Sequence, residues 1–234
     1  MAALMIGSMS PDFAYFLPAG LDRAASHELD GIFLFCLPVG LALWLLFTRL
    51  MERPTIELLP AAWRERVPRS EQSLSARSLV FAALAVLLGA LTHVAWDAFT
   101  HANTAVTNSL PILNTEIFAW QGRPLRVYRL LQYLSSVIGL MALAWWAWSL
   151  RRAPKPRQHA IETHSSLSDR VRICALLALI GASGVSALWR YLDNLDDPFS
   201  TRVFHLLVGG MSGWALAWLA VVLWIRTRTW LSSP

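Results

Sequence analysis

Five long runs of apolar residues, separated by segments rich in arginine and proline, make up most of the sequence. Each run approaches the roughly 17–25 residues that a helix needs to cross a bilayer. The candidate spans are Ile32–Phe47, Leu79–Phe99, Leu134–Leu150, Ile173–Leu192 and Leu206–Ile225. The first is short and contains Pro38, which predicts a kinked or tilted helix. The pattern predicts an all-α fold: a multi-pass transmembrane helical bundle of about five spans, forming one integral-membrane domain over residues 1–234.

The composition favours a membrane protein over a soluble one. Hydrophobic residues make up 56% of the chain and charged residues only 15%, against about 25% charged residues in soluble domains. The net charge of +5 could indicate a nucleic-acid partner, but the arginines lie in short loops between the apolar runs, where they set membrane topology. We therefore expect membrane lipid as a partner and no nucleic acid. The sequence identifies neither a soluble partner nor an oligomeric state.

Lysines and arginines are distributed unevenly among the segments that join the spans. Six lie between the first and second spans, six between the third and fourth, and two after the fifth. The remaining segments hold one before the first span, three after the second and one after the fourth. Because positively charged loops stay in the cytoplasm, this predicts a membrane protein with its N-terminus outside and its C-terminus inside. The polar segment 151–170 is then expected to be a flexible cytoplasmic loop.

Two histidines and an aspartate follow one another at four-residue intervals at the end of the second span. His93, Asp97 and His101 share one helical face, since four residues advance the helix by only about 40° beyond a full turn. The preceding run Leu79–Ala90 carries no charge, and ionisable groups near hydrocarbon rarely persist without a partner or a function. A structural alternative is a helix end whose polar residues only reach the lipid headgroups. We favour a functional site.

The spacing restricts how these residues can bind a metal ion. His93 and His101 are about 12 Å apart along an unbroken helix, too far to bind one ion together. Either an i, i+4 pair binds an ion that another segment helps to hold, or Asp97 bridges two ions, as in two-metal hydrolases. His27 and Asp12 are the expected additional ligands, because both lie on the same predicted side of the membrane. This mixed nitrogen and oxygen set suits a divalent metal, with Zn or Mn expected.

The two N-terminal residues also have simpler interpretations. Asp12 could be a first-turn helix residue, with Ser10 as the N-cap and Pro11 at the first helical position. His27 could cap the start of the first span. The sequence alone leaves these alternatives open.

Packing signals occur in the last two spans and in the loop after the second. Two series of small residues at four-residue spacing allow close helix contact: Ala178, Ala182 and Ser186 in the fourth span, and Gly209, Gly213 and Ala217 in the fifth. The segment Thr100–Arg129 is long enough to cover the outer face as a lid.

Three sequence blocks resemble a known group of membrane proteins. Gly7–Phe13 (GSMSPDF), Ser26–Gly31 (SHELDG) and Thr92–His101 (THVAWDAFTH) are similar to blocks of an uncharacterised bacterial integral-membrane family, a "domain of unknown function". That family resembles the membrane-bound metal-dependent hydrolases of the bacterial inner membrane, and its His-x-x-x-Asp unit is more weakly similar to zinc-dependent phospholipases C. The resemblance implies a location in the bacterial inner membrane and a metal site, but no particular activity. It also implies an upstream helix with a His-Pro pair, so the chain is expected to be shortened at its N-terminus.

These observations lead to three functional hypotheses. The first is a membrane-bound hydrolase of an ester or phosphoester, in a lipid or envelope metabolite, at the outer membrane–water interface. Its divalent metal would be held by Asp12, His27, His93, Asp97 and His101, with Asp97 and His93 catalytic. The second is a transporter or proton relay, and the third a structural subunit stapled by a metal or polar network. Transport sites tend toward the midplane, whereas His93 is predicted roughly 7 Å above it, which favours the hydrolase.

Overall fold

Five helices in the computed structural model are long and apolar enough to cross a membrane. The structure describes residues 1–16, 23–67, 75–120, 123–154 and 167–231. Within these residues the candidate spans are Leu29–Leu58, Ala76–Thr100, Val127–Leu150, Asp169–Asp193 and Phe199–Arg228. Each contains one of the runs found in the sequence, so the prediction of an all-α, multi-pass membrane protein with five spans is confirmed. Most of the predicted flexible loop, residues 155–166, lies outside the described residues.

Short helices and a hairpin connect the spans within the described residues. The helices follow in chain order. They are α1 (Ala2–Met9), α2 (Arg23–His27), α3 (Leu29–Leu58), α4 (Ala61–Arg64), α5 (Ala76–Thr100), α6 (Ala105–Ser109), α7 (Pro111–Asn114), α8 (Val127–Leu150), α9 (Asp169–Asp193) and α10 (Phe199–Leu231). A 3-10 segment, Ser10–Phe16, follows α1. Two antiparallel strands, β1 (Glu116–Trp120) and β2 (Arg123–Arg126), precede α8.

The chain divides into two compact units. The first comprises Met1–Ala14, Gly20–Ala42 and Ser73–Arg152, and the second comprises Tyr15–Ala19, Leu43–Gln72 and Ala153–Pro234. Helices α1, α5 and α8 therefore belong to the first unit, and α9 and α10 to the second, while the long helix α3 contributes to both. The single membrane domain inferred from the sequence stays a prediction.

The first span is longer than the sequence indicated. Helix α3 has 30 residues, so the prediction of a short span is wrong. Arg49 and Arg53 end the apolar run in the sequence, but the helix continues past them, beyond the apolar layer. Pro38 lies just after a π-helical turn, Ile32–Cys36. A proline cannot donate to the preceding turn and its ring crowds the carbonyl there, and a wider turn relieves this conflict.

The segment between α5 and α8, which the sequence predicts to be long enough for a lid, contains short helices and two strands. It forms α6, α7 and the β1–β2 hairpin, in which Phe118 pairs with Leu125 and Trp120 with Arg123. Aromatic and β-branched residues such as Ile117 and Phe118 favour strands. The two short strands leave the all-α class unchanged.

Glycines allow α1 and α5 to pack backbone against backbone in the first unit. A Cβ atom added at Gly7 would lie 2.3 Å from the Val86 carbonyl oxygen, and one added at Gly89 would lie 2.3 Å from the Leu4 carbonyl oxygen. Only glycine fits at such distances, because any side chain would collide with main-chain atoms. This contact fixes α1 against α5, and the 3-10 segment after α1 therefore continues toward the last turns of α5.

Small residues also join α9 to α10 in the second unit. A Cβ atom added at Gly213 would lie 2.5 Å from the Ala182 carbonyl oxygen, and one added at Gly209 would lie 2.6 Å from the Ser186 carbonyl oxygen. The close helix contact predicted from these four small residues is thereby confirmed. A separate buried cluster in this unit contains Leu58, Leu167, Ala175 and Ile225.

Candidate metal centre

Helix α5 ends at Thr100, one residue before His101. His101 has an extended backbone (φ −117°, ψ 152°), although its N–H still donates to the Asp97 carbonyl oxygen at 3.0 Å. The two oxygens of the Asp97 carboxylate contact different histidines of the motif. Oδ2 lies 3.5 Å from His93 Nε2, and Oδ1 lies 3.5 Å from His101 Nδ1. The three residues of the helical motif therefore meet through one carboxylate.

The 3-10 segment brings Asp12 to the same place. Ser10 is buried and its Oγ donates to the Gly7 carbonyl oxygen at 2.7 Å, so it closes α1 rather than acting as an N-cap for Asp12. The two Asp12 oxygens lie near two different imidazoles. Oδ2 is 3.6 Å from His93 Nε2, and Oδ1 is 3.5 Å from His27 Nε2. Asp12 thus links the N-terminal segment to α5.

His27 reaches this cluster from the end of α2. Its Nε2 lies 3.5 Å from Asp97 Oδ2, and its ring centroid lies 5.5 Å from that of His93. Its other ring nitrogen, Nδ1, lies 3.1 Å from Ser26 Oγ. The single hydroxyl proton of Ser26 is donated to the Pro11 carbonyl oxygen at 2.8 Å, so the Ser26 oxygen accepts from His27 Nδ1–H. In the neutral imidazole, the unprotonated Nε2 then faces the two carboxylates.

Four side chains from three segments therefore converge: Asp12, His27, His93 and Asp97. The contacts between them measure 3.5–3.6 Å, longer than the usual 2.9–3.0 Å of an N–H···O hydrogen bond. Ligand atoms held at about 2.0–2.2 Å around a tetrahedral ion lie roughly 3.3–3.6 Å from one another. The four nitrogen–oxygen separations fall in this range, with Asp12 contacting the two imidazoles through different oxygens. The ligand atoms that all lie within 4.8 Å of one another belong to Asp12, His27 and His93.

Burial of the nitrogen atoms also fits a cation. Within the described part of the chain, His93 Nε2 is buried and makes no hydrogen bond. Asp12, His27 and His93 form the one group of at least three metal-ligating side chains found in those residues, with ligand atoms within 4.8 Å of one another. Two carboxylates and two imidazole nitrogens are a donor set suited to Zn or Mn.

The cluster is shielded but not closed. The side chains of His27, His93 and Asp97 are 15%, 18% and 18% exposed, whereas Asp12 is 40% exposed. Asp12 is therefore the most accessible of the four side chains.

His101 lies at the edge of the cluster rather than within it. Its Nε2 is 3.5 Å from Gln132 Nε2 on α8, and its Nδ1 is 3.4 Å from Thr100 Oγ1. Neither Gln132 nor Ser26 was identified from the sequence as a site residue. Each is a single polar residue whose partner lies outside any helical spacing, so the sequence pattern carries no signal for either.

A second histidine–aspartate contact occurs in the second unit. His205 Nε2 lies 3.4 Å from Asp197 Oδ2, and no third metal-ligating side chain among the described residues joins this pair. His159 and His164 lie outside the described residues.

Comparison with known proteins identifies a family. The family described as "Domain of unknown function (DUF4184)" matches residues 1–223, nearly the whole chain. No curated protein and no solved structure matches. The resemblance to a membrane family of unknown function is confirmed, while the relationship to hydrolases stays a prediction. The chain belongs to the DUF4184 family of domains of unknown function.

Proposed function

We propose that this protein is a membrane-bound hydrolase that uses a divalent cation, Zn or Mn, held by Asp12, His27, His93 and Asp97. The supporting observation is the convergence of these nitrogen and oxygen atoms, at 3.5–3.6 Å from one another, out of three separate segments. Ionisable groups are costly at the end of an apolar helix, and a bound cation offsets that cost. The proposed reaction is hydrolysis of an ester or phosphoester.

Each residue has a distinct part in this proposal. A bound divalent cation supplies Lewis acidity at neutral pH. His93 and Asp97, both on α5, line the reacting position and are the proposed catalytic pair. Asp12, the most exposed of the four side chains, would hold the cation at the side from which a substrate would enter. Ser26 holds His27 through Nδ1, so that Nε2 faces the reacting position.

The position of the cluster along α5 supports an amphiphilic substrate. Asp97 is three residues from the end of a membrane span, so its carboxylate lies near the edge of the hydrocarbon layer. A lipid or an ester-bearing envelope metabolite could present its polar group there. We propose that this end of α5 faces outward from the bacterial inner membrane, with the N-terminus outside and the C-terminus inside, because the arginine-rich loops favour the cytoplasm.

Single-cysteine labelling tests the orientation. Ser75 and Ala102 are exposed at opposite ends of α5, and Cys174 can be replaced by alanine to remove the exposed native thiol. A membrane-impermeant maleimide applied to intact spheroplasts should label Ala102→Cys and leave Ser75→Cys unlabelled until lysis. The opposite pattern would reverse the proposed topology.

The activity itself is tested with chromogenic substrates. Purified protein in detergent should hydrolyse bis(p-nitrophenyl) phosphate or a p-nitrophenyl ester, lose activity with a chelator and regain it with Zn²⁺ or Mn²⁺. Asp97→Asn should be inactive, whereas His205→Ala, which changes the histidine of the second unit, should stay active. Activity that persists with a chelator or in Asp97→Asn would contradict the proposal.

One observation favours a second candidate, a proton relay. Titratable and polar side chains form a continuous series from Asp12 through Asp97 to His101, and both end members are partly exposed, at 40% and 30%. Such a series could pass protons between aqueous regions. Proton flux in liposomes that is independent of metal and lost in Asp97→Asn would favour this candidate over the hydrolase.

A further inference from the structure

Three of the contacts that His101 makes bear on which of its nitrogens carries the proton. Thr100 donates its single hydroxyl proton to the Trp96 carbonyl oxygen at 3.1 Å, so the Thr100 oxygen can only accept from His101 Nδ1. Asp97 Oδ1, 3.5 Å from the same Nδ1, is also an acceptor. Both neighbouring oxygens are acceptors toward Nδ1, so they favour the tautomer that carries its proton there.

The third contact agrees with the first two. With Nδ1 protonated, the Nε2 of a neutral His101 is an acceptor, and the amide nitrogen of Gln132, 3.5 Å away, is a donor. The opposite tautomer would point a lone pair of Nδ1 at the Asp97 carboxylate and at the Thr100 oxygen. Gln132 thus supplies the donor that keeps the proton of His101 on the side of Asp97.

We infer that His101 is not a metal ligand but the positioning residue of Asp97, that Gln132 sets its tautomer, and that the centre holds one cation. This rests on the proposed metal centre. A protonated Nδ1 has no lone pair for a cation, but it can hold Asp97 Oδ1 so that Oδ2 faces His27 and His93. The inference separates His101 from the four residues that form the coordination shell.

A neighbouring contact supplies a matched control. On α8, Ser135 Oγ accepts from Trp96 Nε1 at 3.3 Å and donates to the Gln132 carbonyl oxygen at 3.0 Å. Ser135 therefore also connects α8 to α5, and its hydrogen bonds go to Trp96 and Gln132 rather than to His101. A role for Gln132 that only attaches the helices would be shared by Ser135, whereas a role through His101 would not.

The experiment compares cation binding by Gln132→Met and Ser135→Ala. Methionine keeps the length of the side chain and removes the donor. Titration with Zn²⁺ or Mn²⁺ in detergent should give one ion per chain in the native protein and an affinity reduced by about 10–100-fold in Gln132→Met, the range typical of outer-shell changes. Ser135→Ala should bind the ion as the native protein does.

Substitutions at His101 provide a rescue test. An asparagine side chain carries an N–H near the position of Nδ1, so His101→Asn should retain most of the affinity that His101→Ala loses. Gln132→Met should add little to His101→Asn, because the group on which Gln132 acts is then absent.

Three outcomes would overturn the inference, and they differ in what they say about the proposed function. Two ions in the native protein and one in His101→Asn would make His101 a ligand, leaving a metal centre intact. Equal affinities for Gln132→Met and Ser135→Ala would reduce Gln132 to a helix contact, again leaving the centre intact. A folded native protein that binds neither ion would remove the proposed function together with the inference.

Discussion

Both units contain two helices that pack closely at glycine residues, but the side chains that these contacts bring together differ. In the first unit α1 packs on α5 at Gly89, where an added Cβ would lie 2.3 Å from the Leu4 carbonyl oxygen. In the second unit α9 packs on α10 at Gly213, where an added Cβ would lie 2.5 Å from the Ala182 carbonyl oxygen. Close helix contact alone therefore does not distinguish the candidate site.

The difference lies in the segments that follow these contacts. In the second unit, His205 has Asp197 as a neighbour from the same stretch of chain. In the first unit, the end of α1 leads Asp12 to His93, and α2 adds His27. A histidine beside an aspartate is thus a common polar pair, whereas convergence from three segments is the feature that supports a metal centre.

The largest expected effect comes from disrupting the α1–α5 contact. Gly89→Ala places a methyl group against the backbone of α1 and should lower the free energy of unfolding by about 1–3 kcal/mol. It should also weaken cation binding, because the position of Asp12 is set by the packing of α1 on α5. Gly181→Ala on α9, where nothing lies within 4 Å of the added atom, is the control and should be neutral or stabilising. Thermal unfolding in detergent, with cation titration, measures both. Equal stability of the two variants would contradict the close backbone contact between α1 and α5.

The next prediction distinguishes the His93–Asp97 pair of the first unit from the His205–Asp197 pair of the second. Asp97→Asn keeps the shape of the side chain but removes the charge, so it should lower cation affinity by more than the roughly 100-fold that outer-shell changes reach, while the fold survives. Asp197→Asn makes the same change in the second unit and should leave cation affinity as it is. If Asp97→Asn were stabilised with its metal content unchanged, Asp97 would only be reaching the lipid headgroups.

The sequence could predict features that depend on local geometry. Helical periodicity alone places Asp97 beside both His93 and His101, and apolar length alone identifies five spans. By contrast, the exact contacts of Asp12 and His27 depend on how α1 packs on α5, which the order of residues does not specify. Asp12 and His27 could be proposed only as candidates from the predicted topology and the resemblance.

Other features were hidden for equally physical reasons. The β1–β2 hairpin is too short for its alternating pattern to stand out, although Ile117 and Phe118 favour strands. The full length of α3 was missed because hydropathy measures the apolar layer and not the helix. Ser26 and Gln132 act through single hydrogen-bond contacts, which leave no spacing in the sequence.

The smallest expected effect concerns the support of His27. Ser26→Ala removes the acceptor for His27 Nδ1–H and should weaken cation binding by about tenfold, the lower end of the range for outer-shell changes. Ser183→Ala removes a comparable hydrogen bond in the second unit, to the Gly210 carbonyl oxygen at 2.8 Å, and should not alter binding. Isothermal titration with Zn²⁺ resolves the difference. Identical affinities in the two variants would mean that Ser26 does not orient His27.

Metal content distinguishes a cation site at Asp97 from a polar cluster that binds no ion. The native protein and Asp97→Asn would be equilibrated with Zn²⁺ or Mn²⁺ in detergent, freed of unbound ion and subjected to elemental analysis. We expect one ion per native chain and none in Asp97→Asn, with circular dichroism showing both to be folded. A folded native protein that retains neither ion would contradict the proposed metal centre.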